Sequence, residues 1–460
     1  MLAPQPTPRR RLWPLVITAI AVVLIMVAAG CGIWWRFLGG AQSWARSRWT
    51  PPHESLLPDL RDQPAPGWTI DIAELGLPAG STFSVSHPWK PGPIIKTDTP
   101  RAYLIARSPD PLPRWWLTSI DRDSGGRLFK PVNLGENLTT PKCFINQPDV
   151  VCLSDEVNAP ASTARVIDGE SGTLIYTGPS DIRLYTWMPL VAEQSGDFLI
   201  TTAKKRGLYG VGNHAETTWS LPGWGVPVVI GPNSALEGRG SEESGSTVMF
   251  SLRDGSLLHT EFPSDAHMSR TKSFDGGFAG GFRTPAGAEF VQLFDDNGKL
   301  ISKKRLKGML VDTNGRNVSG NLITVLESDR LSIYDSHANK LLEIPGDQQR
   351  RTVLIGSTLW VSQDSDHKQF RPYDVRTGKA GEPCAINLDY LYIGTDGHVA
   401  INAPVDPKSA VLAEAYDLKT CKKVWSITRP RGFTSRVIRL GDNLVRVSDD
   451  GTQVYSMVNR

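Results

Sequence analysis

The side chains best placed to do chemistry are carboxylates followed closely by Asn, Ser or Gly. Asp121-Arg122-Asp123-Ser124-Gly125 and Asp295-Asp296-Asn297-Gly298 have the spacing that opens a calcium loop. Neither has Glu at the twelfth position, so both read as tight turns. The eight His, at 53, 87, 214, 259, 267, 337, 367 and 398, make no H-x-H, H-E-x-x-H or Cys/His metal spacing. The stretch from Phe274 to Phe282 is Gly-rich. It lacks the Lys-Ser/Thr of a phosphate loop and reads as a tight inner strand near an axis. No G-x-S-x-G supports a serine hydrolase. Catalytic, cofactor-binding and metal residues are therefore expected to be none. Basic clusters at Lys303-Lys304-Arg305 and at Lys422, Lys423, Arg429, Arg431, Arg436 and Arg439 read as solvated faces. The second is also a candidate contact for an acidic partner or anionic headgroups.

Outside the first fifty residues there are four cysteines: Cys143, Cys152, Cys384 and Cys421. Cys143 and Cys152 could close a hairpin. Cys384 and Cys421 fall in equivalent zones of adjacent repeats. An even count with local pairing options points to disulfides and an oxidising compartment, with buried free thiols as the alternative.

The element that carries these residues recurs. Val166-Ile167-Asp168 with Gly172, Phe294-Asp295 with Gly298, Tyr334-Asp335 with Asn339, Tyr373-Asp374 with Gly378, Tyr416-Asp417 with Cys421 and, more loosely, Ile120-Asp121 with Gly125 repeat one pattern. An apolar residue precedes Asp, a turn follows, and an apolar strand comes next. Asp295, Asp335, Asp374 and Asp417 lie 40, 39 and 43 residues apart. A period near forty in an all-β chain predicts a β-propeller, one four-stranded blade per repeat. The 43 Gly and 34 Pro suit many short strands joined by turns. The Asp can accept bonds from amides of its turn, and the Gly allows a positive φ. These are structural roles. The outer strands fall at Leu174–Tyr176, Leu257–His259, Leu300-Ile301, Leu341–Glu343 and Val424–Ile427.

The chain stops after Val454 and Tyr455, before another outer strand can form. Ring closure is expected from Trp68 through Ile70 to Ile72, which would remove two free sheet edges. Repeat marks number up to nine. Setting one aside between 120 and 250 as an insertion gives eight blades, with seven as the alternative.

The N-terminus differs in kind. Residues 1–50 carry six Arg and no acids, leaving 44 basic and 47 acidic residues in the remainder. That near-neutral body argues against nucleic acid as a partner. Residues 1–11 read as a basic cytoplasmic tail. Leu12 to Trp35 is uncharged and long enough to span a bilayer, with Trp13, Trp34 and Trp35 at its ends. Residues 36–67 follow as a juxtamembrane segment and spacer, with five Pro between 50 and 67. The propeller is placed at 68–460. A cleaved signal peptide and a lipoprotein acylated at Cys31 are the competing readings.

The segment Ala415-Tyr416-Asp417-Leu418-Lys419-Thr420-Cys421-Lys422-Lys423-Val424-Trp425 resembles the PQQ-type propeller repeat, whose pattern is apolar-Ala-Leu-Asp-x-x-Thr-Gly-x-x-x-Trp. Tyr373 to Lys379 resembles it without the Trp. In layout the chain is similar to envelope-assembly lipoproteins of the BamB type and to quinoprotein dehydrogenases. Trp425, in the closing position, is expected to fill space between blades. Cys421 stands where the repeat has Gly.

The expected protein is a single-pass membrane protein with its propeller on the extracytoplasmic side. It would be a monomeric, non-catalytic scaffold for a cell-envelope protein or polymer, with no cofactor. Two alternatives stand beside it: a quinone-dependent oxidoreductase holding PQQ with calcium, as the resemblance implies, and a propeller binding carbohydrate or cell-wall polymer.

Overall fold

The structure is a computed structural model. It describes residues 40–83, 94–95, 100–109, 113–137, 140–154, 162–182, 191–194, 197–201, 207–222, 228–231, 233–239, 246–311, 321–346, 351–364, 368–388, 392–404, 409–429 and 437–458. The apolar stretch 12–35 and Cys31 lie outside these residues, as do His87, His367, Arg431 and Arg436. Among the described residues no helix is long and apolar enough to cross a membrane. The first described element is helix α1, Gly40–Arg48.

Among the described residues nine antiparallel sheets follow one another along the chain. Blade 1 is Thr82–Phe83, Arg101–Ser108, Arg114–Asp121 and Arg127–Glu136. Blade 2 is Lys142–Asn146, Asp149–Ser154, Ser162–Ile167 and Leu174–Ser180. Blade 3 is Val191–Gln194, Asp197–Thr201, Gly207–Val211 and Thr217–Pro222. Blade 4 has Val228–Gly231, Ser234–Arg239 and Ser246–Ser251, with a bridge from Phe250 to Leu257 on its outer side. Blade 5 is His267–Phe274, Gly277–Arg283, Glu289–Asp295 and Leu306–Lys307. Blade 6 is Met309–Leu310, Ile323–Glu327, Arg330–Tyr334 and Lys340–Pro345. Blade 7 has Thr352–Ile355, Thr358–Ser362 and Phe370–Asp374, with outer bridges at Ala380 and Cys384. Blade 8 is Tyr392–Thr395, Val399–Asn402, Val411–Asp417 and Lys423–Thr428. Blade 9 is Val437–Leu440, Asn443–Val447 and Gln453–Val458.

Blade 9 takes its outer strand from the other end of the chain. Ala65–Asp71 pairs antiparallel with Gln453–Val458, Thr69 facing Tyr455, Ile70 facing Val454 and Asp71 facing Gln453. Trp68 sits at a register shift in this pairing, between Pro66 and Thr69. Ile72 follows the strand, its amide donating to Thr452 O at 2.8 Å.

The core is a set of seams. In Arg101–Ser108, Ala102, Leu104 and Ala106 face the seam with blade 9, while Tyr103 and Ile105 face the seam with blade 2. Successive strand side chains point to opposite faces, and here both faces are covered. Second strands such as Arg101–Ser108, Asp149–Ser154 and Val399–Asn402 are therefore buried along nearly their whole length rather than on alternate residues. Nine buried clusters fill nine seams, each drawing on two neighbouring blades. One unites Ile70, Val445 and Val454 of blade 9 with Leu104 and Ile120 of blade 1. A seam at that junction means the ring is closed.

The expected count of eight blades, or seven, is corrected to nine. No mark between 120 and 250 is an insertion. Blades 3 and 4 are complete units whose turns carry substitutes for the repeat residues. Gly212 and Ala215 of blade 3 make the backbone bonds of Asp295 and Gly298, and Ser251 and Gly255 of blade 4 make those of Asp168 and Gly172. Asp254 lies inside the blade 4 turn and accepts from the Ser256 amide and hydroxyl.

The Gly-rich stretch is also corrected. Gly277–Arg283 is the second strand of blade 5, paired on both sides, and not the strand nearest the axis. Its glycines serve close approach. A Cβ on Gly281 would stand 2.8 Å from Leu310 of blade 6.

Candidate functional site

The recurring carboxylates cap their own turns. Asp121 Oδ1 accepts from the amides of Asp123 and Ser124 and from the Ser124 hydroxyl, at 2.7–3.1 Å. Asp168 does the same with Glu170 and Ser171, and Asp417 with Lys419 and Thr420. Asp295 accepts from the Asn297 and Lys299 amides, Asp335 from His337 and Asn339, and Asp374 from Thr377. At Asp121, Asp168 and Asp417 these bonds favour the ionised form. The Ser124 hydroxyl and amide hold Asp121 below the usual carboxylate range. The amide and then the hydroxyl of Ser171 do so for Asp168, and those of Thr420 for Asp417. The first oxygens of both suspected calcium loops are thus filled by their own chain. Among the described residues no group of three or more His, Cys, Asp or Glu is placed to hold a metal.

Each turn also needs a positive φ. Gly125, Gly172, Gly298 and Gly378 supply it at 72–81°. In blade 6 the residue is Ala338, φ 62°, and not Asn339 as the repeat suggested. In blade 8 it is Cys421, φ 60°.

One contact recurs at the rim: the outer strand of one blade covers the turn of the next, except at blade 7, where Arg46 of α1 covers Gly378. Trp68 of blade 9 lies on Gly125 of blade 1, where a Cβ would stand 2.7 Å from the indole. Its Nε1–H donates to Arg122 O at 3.2 Å. Trp219 of blade 3 treats blade 4 alike, 2.7 Å from a Cβ on Gly255 and donating to Leu252 O at 3.2 Å. Phe129 of blade 1 covers Gly172 of blade 2. Between blades 7 and 8 the contact is covalent, because Cys384 of the outer strand is joined to Cys421 of the turn. The Cys143–Cys152 disulfide stays within blade 2, joining facing residues of its first two strands.

Trp425 of blade 8 has no such turn to cover, because the outer strand of blade 9 comes from the N-terminus. Its Nε1–H donates instead to Leu60 O at 2.7 Å. Leu60 belongs to the stretch read as a spacer. That reading is corrected: residues 49–64 are laid against the rim, and the closing strand starts at Ala65. Trp49 and Ala45 join the seam of blades 6 and 7, and Leu57 and Leu60 that of blades 8 and 9. The Leu60 amide donates to Asp396 Oδ2 at 2.7 Å, the Leu57 amide to Thr395 O at 2.8 Å, and Arg439 Nη2 to Ser55 O at 2.7 Å. The Tyr392 hydroxyl donates to Glu54 Oε1 at 2.5 Å. Burial first, then the Glu54 carboxylate, keeps that phenol protonated far above its ordinary range. These strap residues were missed from sequence. The signal was there in Leu57 and Leu60, apolar residues that a solvated Pro-rich spacer does not need.

The architecture defines a closed β-propeller with its N-terminal segment clamped to the rim. The model of the conjugation-associated 9-bladed beta-propeller domain matches residues 41–460, and the chain belongs to that family. A Mycolicibacterium smegmatis (strain MKD8) relative, the uncharacterized protein D806_5234, is 29% identical over 470 residues, covering 96% of each chain. Among solved structures, the europium-containing methanol dehydrogenase is similar over 88% of this chain and 87% of its own, at 9% identity and a TM-score of 0.39. Quinohemoprotein alcohol dehydrogenase ADHIIG from Pseudomonas putida HK5 is similar over 91% of this chain and 81% of its own, at 10% identity and 0.38. Nothing about chemistry is drawn from likenesses of this size. The repeat read from Ala415 to Trp425 was right about the propeller, and the family matched is the nine-bladed one.

Proposed function

We propose that the chain is a membrane-tethered, extracytoplasmic, non-catalytic docking platform whose partner is an envelope component of a conjugation apparatus. One observation carries the non-catalytic part: the polar residues that recur through the repeats are spent on their own turns and seams. The repeat side chains thus build a rigid disc, and what remains for binding is its surface. The uncharged stretch from Leu12 to Trp35 supports the tether. Two disulfides support an oxidising compartment for the disc. The family's description supports conjugation as the setting. The platform acts as a monomer, without cofactor and without nucleic acid contact.

The test is purification of the full chain from detergent-solubilised membranes, with an ultraviolet–visible spectrum of the eluate. A reproducible envelope partner and no chromophore is the expected result. A quinone-like absorbance that depends on calcium would overturn the non-catalytic reading. Retention by cell-wall polymer on affinity gels, with no protein partner, would replace the partner class.

A further inference from the structure

The strap fixes which edge of the disc meets the membrane. Trp35, the last residue of the apolar stretch, lies five residues before Gly40, the start of α1. Five residues reach at most about 17 Å when fully extended. Helix α1 does not swing on that leash, because it is packed into the rim. Arg46 Nη1 donates to Leu341 O of blade 6 at 3.2 Å, and its guanidinium lies over Gly378 of blade 7, 2.9 Å from where a Cβ would stand. Ala45 and Trp49 are buried between the same two blades. If residues 12–35 span the bilayer, the edge formed by blades 6 and 7 lies at the headgroups.

The chemistry of that edge suits anionic headgroups. Helix α1 has no acidic residue and ends in Arg46 and Arg48. Its Trp44 is 41% exposed and carries the Arg48 guanidinium 4.3 Å from its ring centroid. An exposed indole beside an Arg is the pairing favoured at a membrane interface. On one side of the helix, Arg376 and Lys379 are exposed at the blade 7 turn. On the other side, Lys304 of blade 5 lies 5.9 Å from the Tyr334 ring, which Lys340 of blade 6 also approaches at 5.9 Å. Lys304 belongs to the run Lys299 to Lys307, which holds five basic residues and no acid. Three acids nearby are committed, Glu343 to Arg330 and Lys340, Asp265 to Arg305 and Glu327 to Lys307, while exposed Glu382 on blade 7 and Asp329 on blade 6 offset part of the charge. Exposed Lys303, Lys304, Arg376, Lys379 and Arg48 are left as a positive belt across blades 5 to 7.

We infer that this belt, with α1 at its centre, docks the propeller edge-on against an anionic lipid surface, so that both faces of the disc stay open to partners. The inference rests on the tethered reading of residues 12–35. Anionic lipid attracts such juxtamembrane basic residues within a Debye length of the surface.

The experiment reconstitutes the full chain into nanodiscs of phosphatidylcholine alone or mixed with phosphatidylglycerol, and follows amide hydrogen exchange. Exchange in Gly40–Arg48, in residues 299–307 and in residues 376–379 should slow roughly tenfold in the anionic discs, while blades 2 and 3 do not change. The variant K303E/K304E/R376E/K379E should still incorporate, with an unchanged melting temperature, and lose the lipid dependence. Incorporation with equal exchange in both lipids would overturn edge-on docking and leave the tether standing. Failure to incorporate, or release from membranes by alkaline carbonate, would overturn the tether and the docking with it.

Discussion

A residue with positive φ closes the turn between third and outer strand in eight of the nine blades, and what its side chain may be depends on the neighbouring blade. Gly125 is required twice over, by φ 75° and by the Trp68 indole lying where a Cβ would go. Gly125→Ala should cost about 1–3 kcal/mol in a denaturant titration. Ala338 has the strain without the obstructing ring, so Ala338→Gly should leave stability unchanged or raise it by up to about 1 kcal/mol. A loss there would mean the Ala338 methyl contributes more to the seam than its φ costs. The Asp caps predict acid sensitivity. Asp121, Asp168 and Asp417 have folded pKa values below their unfolded ones. Their contribution is complete above the unfolded value near 4 and is lost as pH falls through the lowered folded values. Replacing all three by Asn should flatten the decline of the unfolding midpoint below about pH 4. A triple variant with an unaltered acid profile would show that the caps carry no linkage.

At the scale of elements, the strap and the seam disulfide solve the same problem in different chemistry. Each blade must be keyed to the next at the rim, where wedge-shaped sheets diverge. Blade 8 keys through Trp425 to Leu60 O, because blade 9 has no turn of its own there. Trp425→Phe keeps most of the apolar area and removes the donor. It should cost about 1–2 kcal/mol and speed amide exchange in residues 54–61. Exchange confined to blade 8 itself would mean the strap is held by its other partners, Tyr392, Thr395, Asp396 and Arg439, without Trp425. The Cys384–Cys421 link closes 37 residues and Cys143–Cys152 closes 9. On chain entropy, Cys384→Ala should cost about 4 kcal/mol and Cys143→Ala about 2.5 kcal/mol. Melting temperatures in the reverse order would refute the entropic account.

The whole molecule is a ring whose two chain ends share one sheet. Without Ala65–Asp71, strand Gln453–Val458 would present an unpaired edge, and Ile70 would leave the seam with blade 1. A chain begun at Ile72 should therefore form oligomers by light scattering and melt less cooperatively than the full chain. A stable monomer from that truncation would show that the ring does not depend on its closure. Placing the join beside the strap also gathers the N-terminal approach, the closure and the proposed membrane edge into one arc of the rim.

The sequence by itself determined the architecture. Period, turn chemistry and the interrupted last repeat pointed to a propeller closed by the N-terminal segment near Trp68, because local backbone needs and the cost of free sheet edges act on residue type directly. The blade number was less legible, since Gly212 and Ser251 do the backbone work of Asp with no carboxylate to mark it. The seam disulfide was legible only as an option, because equivalent zones do not say which side chains meet. Tertiary structure alone decided that residues 49–64 are part of the disc. The Pro residues look the same whether the run is solvated or seated, and Leu57 and Leu60 say only that something covers them. The place of Tyr392, Thr395, Asp396, Trp425 and Arg439 around it supplies the donors and acceptors that hold it. The candidate docking edge follows from that seating, since charges drawn from α1 and blades 5 to 7 form one belt only once the ring brings them side by side.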